Sequence, residues 1–185
     1  MYLTYGVMAT AIALMAVLVF KTEIIRDTST QPQGQKPFSL AKTQMALWTL
    51  IIFCCFVYLW GQENMIISEK LKLERTALIL LGIGAGAAVI GKTIDESDKK
   101  NLANGAIQSM NQNFPSEGFF RDILSDKDGI SLLRFQNVIF SVVLMIGFVA
   151  YVAKFNKMPV FDDTLLILSG VSSAGYLGVK INENK

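Results

Sequence analysis

The chain contains no histidine, so the side chain most often used as a general base and as a metal ligand is missing. Charge is scarce as well. Only 17% of the 185 residues are Asp, Glu, Lys or Arg, against about a quarter in a typical soluble domain. A net charge of +2 is too small for a nucleic-acid surface, and no nucleic-acid partner is expected. The two cysteines, Cys54 and Cys55, are adjacent. Neighbours on a helix point about 100° apart, so the pair does not suit a disulfide and supplies no zinc set. Both read as small apolar fillers of a lipid-embedded helix.

What the chain has in abundance is apolar length. Hydrophobic residues make up 52% and the mean hydropathy is +0.42, with the charges gathered in clusters between uncharged runs. That distribution is the signature of membrane spans. Five runs are present: Leu3 to Phe20, Thr43 to Gly61, Thr76 to Gly91, Asn137 to Ala153 and Thr164 to Val179. The first has no basic stretch before it and no small-residue cleavage pattern after it, so it reads as a retained helix and not a signal peptide. Residues 21–37 end in a Gln/Pro/Gly stretch suited to a linker, and Ser39 stands where an N-cap for the second run would be. The third run is short for a hydrocarbon core, so flanking residues must snorkel or neighbouring helices must thin the bilayer.

Basic residues decide orientation. With five spans, the segments 21–42, 92–136 and 180–185 lie on one side and carry 12 of the 17 Lys and Arg. The positive-inside rule puts that side in the cytoplasm, with the N-terminus outside and the C-terminus inside, in an inner (plasma) membrane. Tyr2, Tyr5, Tyr58, Trp60 and Tyr151 would then form much of the outer aromatic belt.

The sequence also repeats itself. Phe38-Ser-Leu-Ala-Lys-Thr-Gln44 enters the second run and Ile130-Ser-Leu-Leu-Arg-Phe-Gln136 enters the fourth, 92 residues later. Thr76-Ala-Leu-Ile-Leu-Leu-Gly-Ile matches Thr164-Leu-Leu-Ile-Leu-Ser-Gly-Val at a spacing of 88, and Lys92 and Lys180 close the two units. Both copies are hairpins entering from one side, hence parallel repeats with an axis along the membrane normal. The expected fold is all-α: an integral membrane bundle of about five transmembrane helices, one plus two plus two. It divides into 1–37 (first helix and linker), 38–95 (first hairpin), 96–129 (cytoplasmic connection) and 130–185 (second hairpin).

This duplicated hairpin resembles a group of small multi-pass bacterial membrane proteins of no assigned role. The resemblance covers residues 38–183 and rests on the S-L-x-[KR]-x-Q and L-x-G-[IV] blocks. The first copy departs from the pattern in being richer in glycine. The resemblance implies a membrane location and brings no activity with it.

Three residue sets stand out. Gly82 and Gly86, and Ala87 and Gly91, are small residues four apart, and in the second copy Ser169 and Ser173, with Gly170 between them, keep that spacing, which lets helix backbones approach closely in lipid. The alternative is a kinked, pore-lining helix. Lys42, Gln44, Arg134 and Gln136 sit at the cytoplasmic mouths of their helices, either as snorkelling anchors or as a polar ring in an oligomer. Phe119, Phe120, Ile123 and Leu124 have the spacing of one helical face, ahead of the turn-like Ser-Asp-Lys-Asp-Gly. That face suits the membrane surface or a cytoplasmic protein partner. Asp126-Lys-Asp-Gly129 lacks the remaining acidic positions of a calcium loop and reads as a turn.

None of the five runs contains an ionisable residue. Ion-coupled transporters and pumps keep such groups within their spans, and a membrane enzyme needs an acid, base, nucleophile or metal near the bilayer. No enzyme, cofactor or metal is expected. The leading expectation is a homo-oligomeric membrane scaffold or anchor that presents the 92–136 segment to a partner. The alternative is an oligomeric channel lined by the small-residue helices.

Overall fold

The computed structural model describes residues 2–27, 29, 31–64, 66, 73, 74, 77, 80, 81, 115–126 and 129–161. Among them three long helices dominate: α1 (Tyr2–Lys21), α2 (Leu40–Gln62) and α4 (Leu132–Phe155), with a short α3 (Phe119–Leu124) ahead of the last. At 20, 23 and 24 residues they rise about 30 Å or more at 1.5 Å per residue, enough to cross a hydrocarbon core. All three are apolar enough to do so, which is compatible with a membrane protein.

Helix formation follows from composition. The runs consist of good helix formers and β-branched residues without an internal proline, and in lipid the backbone can satisfy itself only within the helix. Each helix extends beyond its uncharged run. α2 takes in Lys42 and α4 takes in Arg134 within the first turn, because a long basic side chain can reach away from the hydrocarbon without leaving the helix. Ser39 is the N-cap of α2 as its position suggests, with φ −93° and ψ 121°, but its hydroxyl makes no capping bond. α4 ends on Asn156 in the left-handed conformation, a role asparagine tolerates after glycine.

The helix directions can be read from side chains. The Gln44 amide near the start of α2 reaches Asn137 and Ser141 near the start of α4. At the other end the Tyr58 hydroxyl of α2 donates to the side-chain oxygen of Asn156 at 3.2 Å. α2 and α4 therefore run parallel. α1 runs antiparallel to α2, because Thr4 at its start packs against Gly61 near the end of α2 so tightly that a Cβ there would meet the Thr4 side chain. Here the close approach requires glycine.

The core lies between α2 and α4. Trp48, Ile52, Leu144 and Phe148 pack there with Ala77 and Leu80 from the segment after α2. Phe148 is fully buried and meets Trp48 and Phe161 edge-on at 6.0 Å each. In lipid such contacts act through dispersion and shape, since apolar surface gains little by leaving hydrocarbon.

One departure from an all-α chain is small. Ser125–Asp126 (β1) pairs antiparallel with Gly129–Ile130 (β2) in a two-rung ladder just ahead of α4.

Candidate functional site

Many of the polar side chains of the described residues gather at one end, where α1 finishes and where α2 and α4 begin. Three pieces of chain build this cap: the loop after α1, the α3 segment and the two helix entrances.

The loop 22–38 looks like a flexible linker by composition, yet it is tied in several places. Glu23 accepts from the Lys36 ammonium at 2.6 Å and from the Gly34 N–H at 3.1 Å. Lys36, by donating to that carboxylate, holds Glu23 below its ordinary value of 4.5. Arg26 donates to the Lys36 carbonyl and lies over the Phe38 ring, 4.2 Å from its centre. Asp27 N–H donates to the Pro37 carbonyl, and Ser39 N–H to the Ile25 carbonyl, both at 2.8 Å. The loop folds back so that its last residues set the start of α2.

Asp122 on α3 joins the second piece to the first. Its carboxylate accepts from the Phe38 N–H at 3.1 Å, the Ser116 hydroxyl at 2.6 Å and the Glu117 N–H at 2.9 Å. Ser116 N–H also donates to the Gln35 carbonyl at 2.8 Å. Beneath these bonds Leu40, Ala41 and Ile123 form a second small core, flanked by Phe38, Phe119, Leu124 and Val138.

The face expected from Phe119, Phe120, Ile123 and Leu124 is thus divided. Ile123 is buried, Phe119 and Leu124 pack on the helix entrances, and Phe120 is 75% exposed. Three of the four are engaged within the chain, which leaves Phe120 as the outward member.

The mouth residues part company too. Lys42 donates to the Arg26 carbonyl at 2.6 Å and so anchors the loop. Gln44 turns inward and donates to Asn137 Oδ1 at 2.5 Å and to Ser141 Oγ at 2.7 Å. Arg134 is 8% exposed, whereas Gln136 is exposed. No ring is formed by the four within one chain. Gly82, Gly86, Gly91, Ser169, Gly170 and Ser173 lie outside the described residues.

Asp122, Asn137 and Ser141 are the functional-looking residues that sequence reasoning passes over. Asn137 and Ser141 had a signal: with Gln44 they are hydrogen-bonding side chains set near the starts of otherwise apolar runs, where an unsatisfied polar group would be costly. Asp122 had none, since it is one acid in a mixed-charge stretch.

The cap gathers cations. Lys21, Arg26, Lys36, Lys42, Arg121 and Arg134 belong to it, while among the described residues only Lys154 and Lys157 stand at the opposite end. Among the described residues no three His, Cys, Asp or Glu side chains come together as metal ligands would. What the arrangement can do is hold a basic, partly apolar surface at the point where helices meet water. No protein-family model, curated protein or solved structure matches the chain.

Proposed function

We propose that the chain is a non-enzymatic membrane anchor of five spans, with the cap in the cytoplasm, that assembles with copies of itself and presents its long polar segment to a soluble partner. The observation that carries this reading is the Asp122 junction. The far end of the 92–136 segment is built onto both helix entrances, and the apolar Phe120 of α3 is left 75% exposed. A segment fixed at its base and forming the chain's one long polar stretch is suited to recognition.

Chain direction supports the five spans. α2 ends beside Asn156, at the end opposite the cap, and Ser116 is back at the cap. Between them the only run apolar enough to return through hydrocarbon is Thr76 to Gly91. By the same logic Thr164 to Val179 would bring the C-terminus to the cap side. The concentration of Lys and Arg at the cap favours a cytoplasmic cap.

A conducting path would have to run between copies, because Trp48, Ile52, Leu144 and Phe148 fill the space between α2 and α4. The anchor reading predicts a silent planar bilayer at high protein load.

The direct test compares the full chain with one whose residues 96–114 are replaced by a Gly/Ser stretch of equal length, leaving the Asp122 junction intact. Crosslinking in intact membranes should retain the self-association of both and lose the soluble crosslinked species only with the replacement. Recovery of the same soluble species from both chains would sink the anchor.

A further inference from the structure

A cleft of about 740 Å³ opens at the cap where α1 leaves the apolar layer, within the size range of small-molecule sites. Its lining includes three aromatic rings, Phe20 at the end of α1, Phe38 before α2 and Phe119 on α3, together with the charged side chains of Lys21, Glu23 and Arg26. Glu23 is already matched, with one carboxylate oxygen on the Lys36 ammonium and the other on the Gly34 N–H. Arg26 is held in place by the Lys36 carbonyl and the Phe38 ring. Among the described residues no carboxylate pairs with Lys21, which is exposed on the last turn of its helix. The cleft is therefore net cationic, partly preorganised and lined in part by aromatic rings.

Its depth matters as much as its charge. The last apolar turn of α1 ends at Phe20, which is 85% exposed, and Lys21 follows immediately. In the five-span reading this is the level where acyl chains give way to headgroups on the basic side of the membrane. Basic pockets at that depth suit anionic headgroups.

We infer that this cleft holds one anionic glycerophospholipid of the cytoplasmic leaflet, its phosphate between Lys21 and Arg26 and an acyl chain along the Phe20, Phe38 and Phe119 rings. A zwitterionic lipid brings its own cation to the same place and is disfavoured by Lys21. A soluble phosphate has the charge but leaves the aromatic rings wet. The inference rests on the membrane reading and not on partner recruitment, so loss of the anchor proposal in the replacement experiment would leave it standing.

The test uses the purified full chain in detergent, titrated with phosphatidylglycerol and with phosphatidylcholine of identical acyl chains, and read by native mass spectrometry. Wild type should bind phosphatidylglycerol in preference. Lys21→Gln should weaken that binding about fivefold, the effect of removing one basic residue at a membrane surface, while Lys21→Arg retains it. Lys154→Gln, at the opposite end, should change nothing, and circular dichroism confirms that each variant keeps its helices. Equal binding of the two lipids, or an unchanged Lys21→Gln, overturns the site. Displacement of the lipid by millimolar inorganic phosphate also overturns it, since the ligand would then be a soluble anion.

Discussion

The two helix entrances, one leading into α2 and one into α4, start from the same pattern and end in different employment. Ser39 and Ser131 occupy equivalent places, and their backbones agree to within a few degrees, at φ −93° and ψ 121° against φ −91° and ψ 123°. Each serine N–H donates to an earlier carbonyl, of Ile25 in one case and Leu124 in the other, and each serine carbonyl accepts the first helical bond. Neither hydroxyl caps its helix. Beyond that point the likeness stops. Lys42 anchors a loop, whereas Arg134 is buried; Gln44 crosses to the neighbouring helix, whereas Gln136 is exposed. A repeated sequence can impose one backbone geometry twice, but the use of each side chain is set by what lies beside it. A two-fold axis along the membrane normal would turn the same face of each copy to the shared interface, and α2 and α4 depart from that, since Gln44 meets Asn137 and Ser141 and not Gln136.

The sharpest way to break this comparison is at Trp48 and Phe140, which hold the same place in the two copies. Trp48 is 4% exposed against Phe148, while Phe140 is 39% exposed. Trp48→Ala should cost about 2 kcal/mol, because in hydrocarbon the cavity penalty persists although the transfer gain does not. Phe140→Ala should cost under ~0.5 kcal/mol. Unfolding of both variants in mixed detergent measures the difference. Equal losses would mean that the copies are used alike, against the asymmetry described above.

Next in size is the glutamine pair. Gln44→Leu removes two interhelical hydrogen bonds and leaves Asn137 and Ser141, among the described residues, with each other at 3.4 Å. The expected loss is about 1 kcal/mol, the usual scale for such bonds in lipid. Gln136→Leu should be neutral or slightly stabilising. The same unfolding assay reads both, and a Gln136→Leu loss as large as that of Gln44→Leu would remove the distinction.

How much of this was legible beforehand depended on whether the relevant partner lay nearby in sequence. The long apolar runs gave α1, α2 and α4, because an uncharged stretch near 20 residues has few other places to fold. The helices extend a few residues past the uncharged runs, since Lys42 and Arg134 continue them, and Ser39 marks the start of α2 in the sequence. The parallel direction of α2 and α4 was expected from the repeat and appears in the Gln44 and Tyr58 contacts. The cap was hardly legible. A Gln/Pro/Gly composition reads as linker, and nothing local shows that Glu23 will find Lys36 or that Phe38 will find Asp122, 84 positions away. Likewise the apolar spacing of α3 identified a face but not its occupant, which is the chain itself for Ile123 and Phe119.

The smallest expected effect separates the entrances by acidity. The first is braced by an ion pair, Glu23 with Lys36, partly exposed at 27% and 23%. Glu23 is held below its ordinary value of 4.5, first by the hydrogen bond from Lys36 and further by the Gly34 N–H and the nearby cations, against a desolvation effect that pushes the other way. A lowered carboxylate value means that its contribution is fully present above about pH 4.5 and fades as pH falls through the folded value. Exposure makes the effect modest. Amide hydrogen exchange across residues 23–38 should therefore quicken on acidification below pH 4.5, more than exchange across 125–135. In Glu23→Gln the loop should exchange faster at neutral pH and lose that part of its acid response. Other carboxylates titrate in the same window, so the variant, not the bare pH profile, carries the comparison. An acid response in Glu23→Gln identical to wild type would mean that the ion pair does not brace the first entrance, and the two helix starts would then differ only in their interhelical contacts.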